Sequence, residues 1–105
     1  MRIYLLFVTT PNRRVSERLM RLAVDRKLAA CANRVPGLSS RYWWKGHVET
    51  AREELLLMKT TKKRLPSLIK TLRENHPYQV SEALAVPVSR GNPPYLAWLA
   101  ESVGG

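Results

Sequence analysis

Between Ile3 and Thr9 both alternating sets of positions are apolar: Ile3, Leu5 and Phe7 on one side, Tyr4, Leu6 and Val8 on the other. A short run apolar on both faces predicts a central strand covered on both sides. The period then changes. Thr10-Pro11-Asn12 supplies a helix start, with Thr10 or Asn12 as the cap. Val15, Leu19, Leu22 and Ala23 recur at helical spacing, while Arg14, Glu17, Arg18, Arg21 and Asp25 fall elsewhere. That pattern predicts an amphipathic helix to about Lys27.

Leu28 to Val35 predicts a second strand, interrupted at Pro36-Gly37 by a bend or bulge and resumed from Leu38 to Trp44. Lys45-Gly46 reads as a tight turn, because Gly46 tolerates the positive φ of a short hairpin. His47 to Thr60 returns as the third strand, polar over Glu49 to Glu54 and apolar over Leu55, Leu56, Leu57 and Met58. Thr61 is placed to cap a second helix carrying Leu65, Leu68, Ile69 and Leu72 on one face, with Pro66 in its first turn. Asn75-His76-Pro77 ends it, since the residue before proline avoids the helical region. Glu82 to Val88 predicts the fourth strand. Gly91-Asn92-Pro93-Pro94 opens a third helix with Tyr95, Leu96, Trp98 and Leu99 on its apolar side, and Val103-Gly104-Gly105 reads as a frayed tail.

The order β-α-β-β-α-β plus a terminal helix is the split βαβ, or ferredoxin-like, arrangement of the α+β class. Its second and third strands make a hairpin of about 30 residues, against the usual 5–6 per strand. Such a hairpin overhangs its own sheet, and overhanging backbone invites pairing with another chain. Adjacent Trp43 and Trp44 point to opposite sides of their strand, so one can enter the core while the other needs cover from a partner. The expectation is an oligomer.

Composition narrows the class. A chain of 105 residues, 45% hydrophobic and 25% charged, fits residues 1–105 as one folded domain. Its single cysteine, Cys31, permits no intrachain disulfide and suits a reducing cytoplasm. The apolar run after Met1-Arg2 is too short for a signal peptide, and no stretch reaches the roughly 20 residues that span a bilayer. A formal net charge of +10 changes the picture more. It is either a soluble basic surface or the footprint of an anionic partner.

Several ordered motifs carry a family resemblance. They are Ala29-Ala30-Cys31-Ala32-Asn33, Pro36-Gly37-Leu38, Ser40 to Gly46 (SRYWWKG), Glu54 to Thr60 (ELLLMKT), His76-Pro77-Tyr78, and Gly91-Asn92 with Tyr95-Leu96 and Trp98-Leu99. From about Ile3 to Glu101 the chain resembles the divalent-cation-tolerance protein family CutA. The resemblance implies a ferredoxin-like fold and a tight homotrimer whose long hairpins extend each neighbour's sheet, similar in architecture to the PII signalling proteins. It also implies a cytoplasmic role in tolerance of divalent metals, with copper the usual ion. Cys31, His76 and Glu82 match the positions for which metal binding has been proposed in that family. Thiolate, imidazole and carboxylate form a reasonable set for copper or zinc. The sequence departs from the family pattern at Ser81, where proline is common, and at Gln79, where an acidic residue is frequent.

Each of these residues also has a plainer reading. A strand cysteine is commonly a small buried hydrophobe. His76 can end its helix and bond locally. Glu82 can pair at a strand edge, and Tyr42, Trp43, Trp44 and Trp98 suit packing and interfaces. Beside the metal-binding trimer stands a sensor trimer binding a small anionic molecule between subunits, motivated by Asn12, Arg13 and Arg14 at a helix N-terminus. Nucleic-acid binding ranks third, because Val48 to Lys59 lacks the aromatics and glycine of an RNA-reading strand. Lys63, Lys70 and Arg73 on the second helix then read as a solvated face. With no GxSxG, P-loop or HExxH, an enzyme is the weakest expectation. A Cys31–His76 nucleophilic pair would require spatial adjacency.

Overall fold

The computed structural model describes residues 2–105. Its elements are β1 (Ile3–Thr10), α1 (Arg13–Asp25), β2 (Cys31–Trp44), β3 (His47–Thr61), α2 (Leu65–Asn75), β4 (Leu84–Val88) and α3 (Pro93–Ser102). The four strands form one antiparallel sheet in the order β2-β3-β1-β4. This is the ferredoxin-like arrangement expected from the sequence. Leu6 and Val8 of β1 and Leu56 and Met58 of β3 point to one face and are almost fully buried. Leu19 and Ala23 of α1 and Leu68 and Leu72 of α2 close over them to make the core.

Local chemistry sets the boundaries. Asn12 caps α1 by accepting the Val15 N–H through its side chain at 3.0 Å. The helix stops at Asp25 because Lys27 enters the left-handed region at φ 57. The Leu28 and Lys27 N–H groups then turn back to the Ala23 and Val24 carbonyls, both at 2.9 Å. This Schellman closure buries Leu28 against Ala23. It also consumes Leu28 and Ala29, so β2 starts at Cys31 rather than at the expected Leu28. The Pro36-Gly37 interruption is a bulge between Val35 and Leu38, with Gly37 at φ 78. Lys45 and Gly46, at φ 50 and 81, form the two-residue turn that the twist of a hairpin favours.

Four further expectations are corrected. Thr61 does not cap α2: it ends β3, and Arg64 occupies the cap position without a side-chain bond. The C-terminus is docked, not frayed. Val103 is fully buried, its carbonyl accepts from Arg64 Nε at 2.7 Å, and Gly105 N–H closes onto Ala100 at 2.7 Å. Glu82 precedes β4, because pairing with β1 begins only at Leu84 opposite Phe7. Neither Trp43 nor Trp44 enters the core; they are 75% and 36% exposed.

The last correction follows from register. β1 pairs β3 only from Ile3 opposite Thr61 to Thr10 opposite Glu54. Residues 47–53 of β3 and 38–44 of β2 therefore leave the sheet as a two-stranded arm, and the molecule is 44 Å long against 25 and 22 Å across. The sheet face away from α1 and α2 is uncovered near β4, where Leu84 and Val86 are 63% and 47% exposed.

Candidate functional site

The arm is clamped at its root on both faces. Glu53 and Glu54 are adjacent on a strand and so point to opposite sides of it. On the helix side, the Glu54 carboxylate accepts two bonds from Arg34, at 2.7 and 2.6 Å, and one from Ser16 at 2.7 Å. Ser16 in turn shares a 2.5 Å bond with Thr10. The Arg34 guanidinium and the Ser16 hydroxyl hold the Glu54 carboxyl below its ordinary value, against the opposing effect of burial. One carboxylate thus joins α1, β2 and β3.

On the other side, Tyr78 donates to Glu53 at 2.7 Å. Its position follows from His76-Pro77. The extended backbone of His76 ends α2 and turns the chain toward the arm. The His76 ring is buried; Nε2 donates to the Thr9 carbonyl at 2.7 Å and Nδ1 accepts the Tyr78 N–H at 3.1 Å. The ring also lies against Tyr78, 4.6 Å between centroids. Burial first, and then the bonded Glu53, raise the Tyr78 hydroxyl above its ordinary pKa.

Segment 77–82 and the arm residues Tyr42, Trp43 and Trp44 enclose an open cleft of about 870 Å³ with Glu53 in its wall. Glu82 lies at this cleft, its carboxyl raised by desolvation first and by repulsion from Glu53 second. The sequence reading missed Glu53 and Glu54 as a site. The available signal was two adjacent acids where the polar stretch of β3 meets Leu55 to Met58.

The three predicted ligands do not meet within one chain. Cys31 begins β2, half-buried, with Sγ 3.8 Å from the Tyr95 hydroxyl of α3. Lys59 donates to the same hydroxyl at 3.2 Å, and that bond, with the Cys31 sulfur contributing less, raises the lysine pKa. Cys31 lies level with Lys59 and Leu5, whereas His76 bonds Thr9, four residues further along β1. That step along a strand is about 13 Å. Both His76 nitrogens already have partners, so it can take an ion only by surrendering one of them. Among the described residues no three His, Cys, Asp or Glu side chains gather to hold a metal. The same separation leaves Cys31 without His76 as a general base. At the N-terminus of α1, two of the three features proposed for an anion are internally engaged, since Asn12 holds Val15 and Arg13 pairs with Glu17 at 2.8 Å, while Arg14 is exposed.

The sequence profile of the CutA1 divalent ion tolerance protein family matches residues 4–102. The chain belongs to the CutA1 family. It is 43% identical to the divalent-cation tolerance protein CutA of Thermus thermophilus over 97 residues, covering 92% of this chain and 94% of that protein. The protein CutA of Mus musculus is 45% identical over 93 residues, 89% of this chain but 52% of its own length. This chain therefore spans about half the length of the mouse, rice and human relatives it matches. The solved CutA1 structure from Thermus thermophilus superposes with a TM-score of 0.94 at 41% identity, covering 97% of this chain and 99% of that one. The structure of CutA from Xylella fastidiosa also gives 0.94, at 40% identity, with 96% and 97% covered. No helix among the described residues is long and apolar enough to cross a membrane.

Proposed function

We propose that this chain is a homotrimeric, cytoplasmic binding protein for divalent metal, copper above others, acting in divalent-cation tolerance and without catalysis of its own. The observation that carries the reading is the sheet order. β2 and β4 are its two edges. Cys31 begins one edge strand, and Glu82 leads into the other. The chain thus keeps soft and hard donors at opposite margins of a sheet whose outer face is apolar and uncovered near β4. Head-to-tail closure of three chains joins the β2 edge of one to the β4 edge of the next. In that ring a donor set that one chain cannot assemble is formed between neighbours. The family match supports the role in tolerance, and the thiolate–carboxylate chemistry of Cys31 and Glu82, with His76 as the third candidate, supports copper. The unpaired thiol of Cys31 suits a reducing compartment.

Calorimetric titration of Cu(II) and Zn(II) into protein of verified mass tests this. The trimer binds copper saturably, and Cys31→Ala and Glu82→Gln each weaken binding at least about tenfold while leaving the trimer intact. His76→Ala lowers thermal stability as well, because it strands the Thr9 carbonyl and the Tyr78 N–H. Copper binding unchanged in both the Cys31 and Glu82 variants overturns the assignment of those residues.

A further inference from the structure

The net charge of the chain is unevenly distributed. Residues 13–27 and 62–74, which hold α1, α2 and their flanking turns, contain eleven of the eighteen Lys and Arg but three of the eight Asp and Glu. This layer therefore carries +8 of the chain's +10. On α1, Arg14, Arg18 and Arg21 follow at steps of four and three, which places them on one exposed stripe. Lys63 before α2 and Lys70 and Arg73 on it are also exposed. The stripes adjoin, because Arg18 reaches across to Asn75 at the end of α2 at 3.1 Å. Of the three acids, Glu17 is paired with Arg13, leaving Asp25 and Glu74 against this array. The layer lies on the side of the sheet opposite the uncovered apolar face, so assembly through that face leaves it free.

We infer that the α1–α2 face is a binding surface for the phosphate backbone of a nucleic-acid duplex, read without regard to sequence. Nucleic-acid binding ranks third on sequence because Val48 to Lys59 lacks the aromatics and glycine of an RNA-reading strand; the helical face does not need them. Neither α1 nor α2 contains an aromatic residue, which disfavours a single strand held by base stacking. Val24, at 36%, is the one exposed large hydrophobic residue on the two helices among the described residues. A face without an apolar strip disfavours membrane insertion. What remains is an array of six exposed cations, four of them arginine, whose planar guanidinium matches phosphate oxygens. Engaging six phosphates releases about as many counterions and gives a log–log salt slope of about −5.

The test is fluorescence anisotropy of a labelled random-sequence DNA duplex, about 20 base pairs long, with the intact protein between about 50 and 200 mM salt. The wild type binds saturably at the low end and loses about a thousandfold across that range. A variant carrying Arg14→Gln, Arg21→Gln, Lys70→Gln and Arg73→Gln loses most of the binding and flattens the slope by about 3 to 4. A control carrying Arg41→Gln, Lys45→Gln, Arg52→Gln and Arg90→Gln has the same net charge and retains binding within about threefold, since a screened field falls off over roughly 10 Å. Equal loss in the two variants of matched circular dichroism and mass overturns the inference, because binding then follows net charge and not this face. So does absence of duplex binding by the wild type, or binding to phosphatidylserine vesicles in its place. The result is independent of copper binding.

Discussion

If the chain assembles as the proposed trimer, replacing Leu84 and Val86 together with aspartate is expected to leave single chains at micromolar concentration. Both side chains stand on the face away from α1 and α2, opposite Phe7 and Leu5 of β1. Leu57 and Leu55 continue the apolar face along β3, and Val35 carries it to β2 at 43% exposure. An apolar sheet face of this extent marks an interface. Within one chain Leu84 and Val86 bury little, so their replacement leaves the core of Leu6, Val8, Leu56 and Met58 in place. Buried at an interface, two unpaired carboxylates cost several kcal/mol each, enough to dissociate it. Light scattering after size exclusion reads the mass, and circular dichroism checks that the fold survives. A variant still trimeric in that assay contradicts the assignment of this face.

The second large effect concerns the root of the arm. Glu54→Ala is expected to cost about 3 kcal/mol in urea unfolding, because it leaves the Ser16 hydroxyl and the Arg34 guanidinium without their acceptor. Glu54→Gln keeps one acceptor oxygen and costs less. The pH dependence has a definite sign. The folded-state pKa of Glu54 lies below its ordinary value of 4.5, so the folded state binds the proton less readily than the unfolded chain. Its contribution is complete above the unfolded pKa and disappears as pH falls through the folded one. The wild type therefore loses stability on acidification below about 4.5, and Glu54→Gln flattens that limb. Glu82, raised rather than lowered, contributes in the opposite sense. Unfolding midpoints of the two proteins that fall in parallel from pH 6 to pH 3 would show that Glu54 does not carry the effect.

Much of the fold was legible in the sequence because its signals are local. A short run apolar on both alternating sets marks β1, the 3.6-residue period marks α1 and α2, and Lys45-Gly46 marks the hairpin turn. The misplaced boundaries were settled by backbone closures with weak side-chain signatures. Lys27 takes the left-handed position usually given to glycine, which cuts Leu28 and Ala29 out of β2. Gly104 and Gly105 close α3 and dock a tail that composition made look loose. The site was less legible because it depends on distance in space. Cys31, His76 and Glu82 have suitable chemistry, but register separates Cys31 from His76 along β1. Glu53 and Glu54 fall in the polar stretch Glu49 to Glu54, and only the pairing of β3 with β1 shows that the arm leaves the sheet at that point. The basic helix face was visible as charge, whereas its separation from the apolar face required the fold.

The central claim is that the ion-binding unit is the ring of chains and not the chain. The most direct measurement is calorimetric copper titration of the wild type beside the Leu84→Asp, Val86→Asp variant, each with mass verified in the same buffer. The account predicts saturable binding to the trimer and none of comparable affinity to the dissociated chain, although Cys31, His76 and Glu82 are all still present. Equal affinity and stoichiometry per chain in the two states would contradict it and would place the ion within a single subunit.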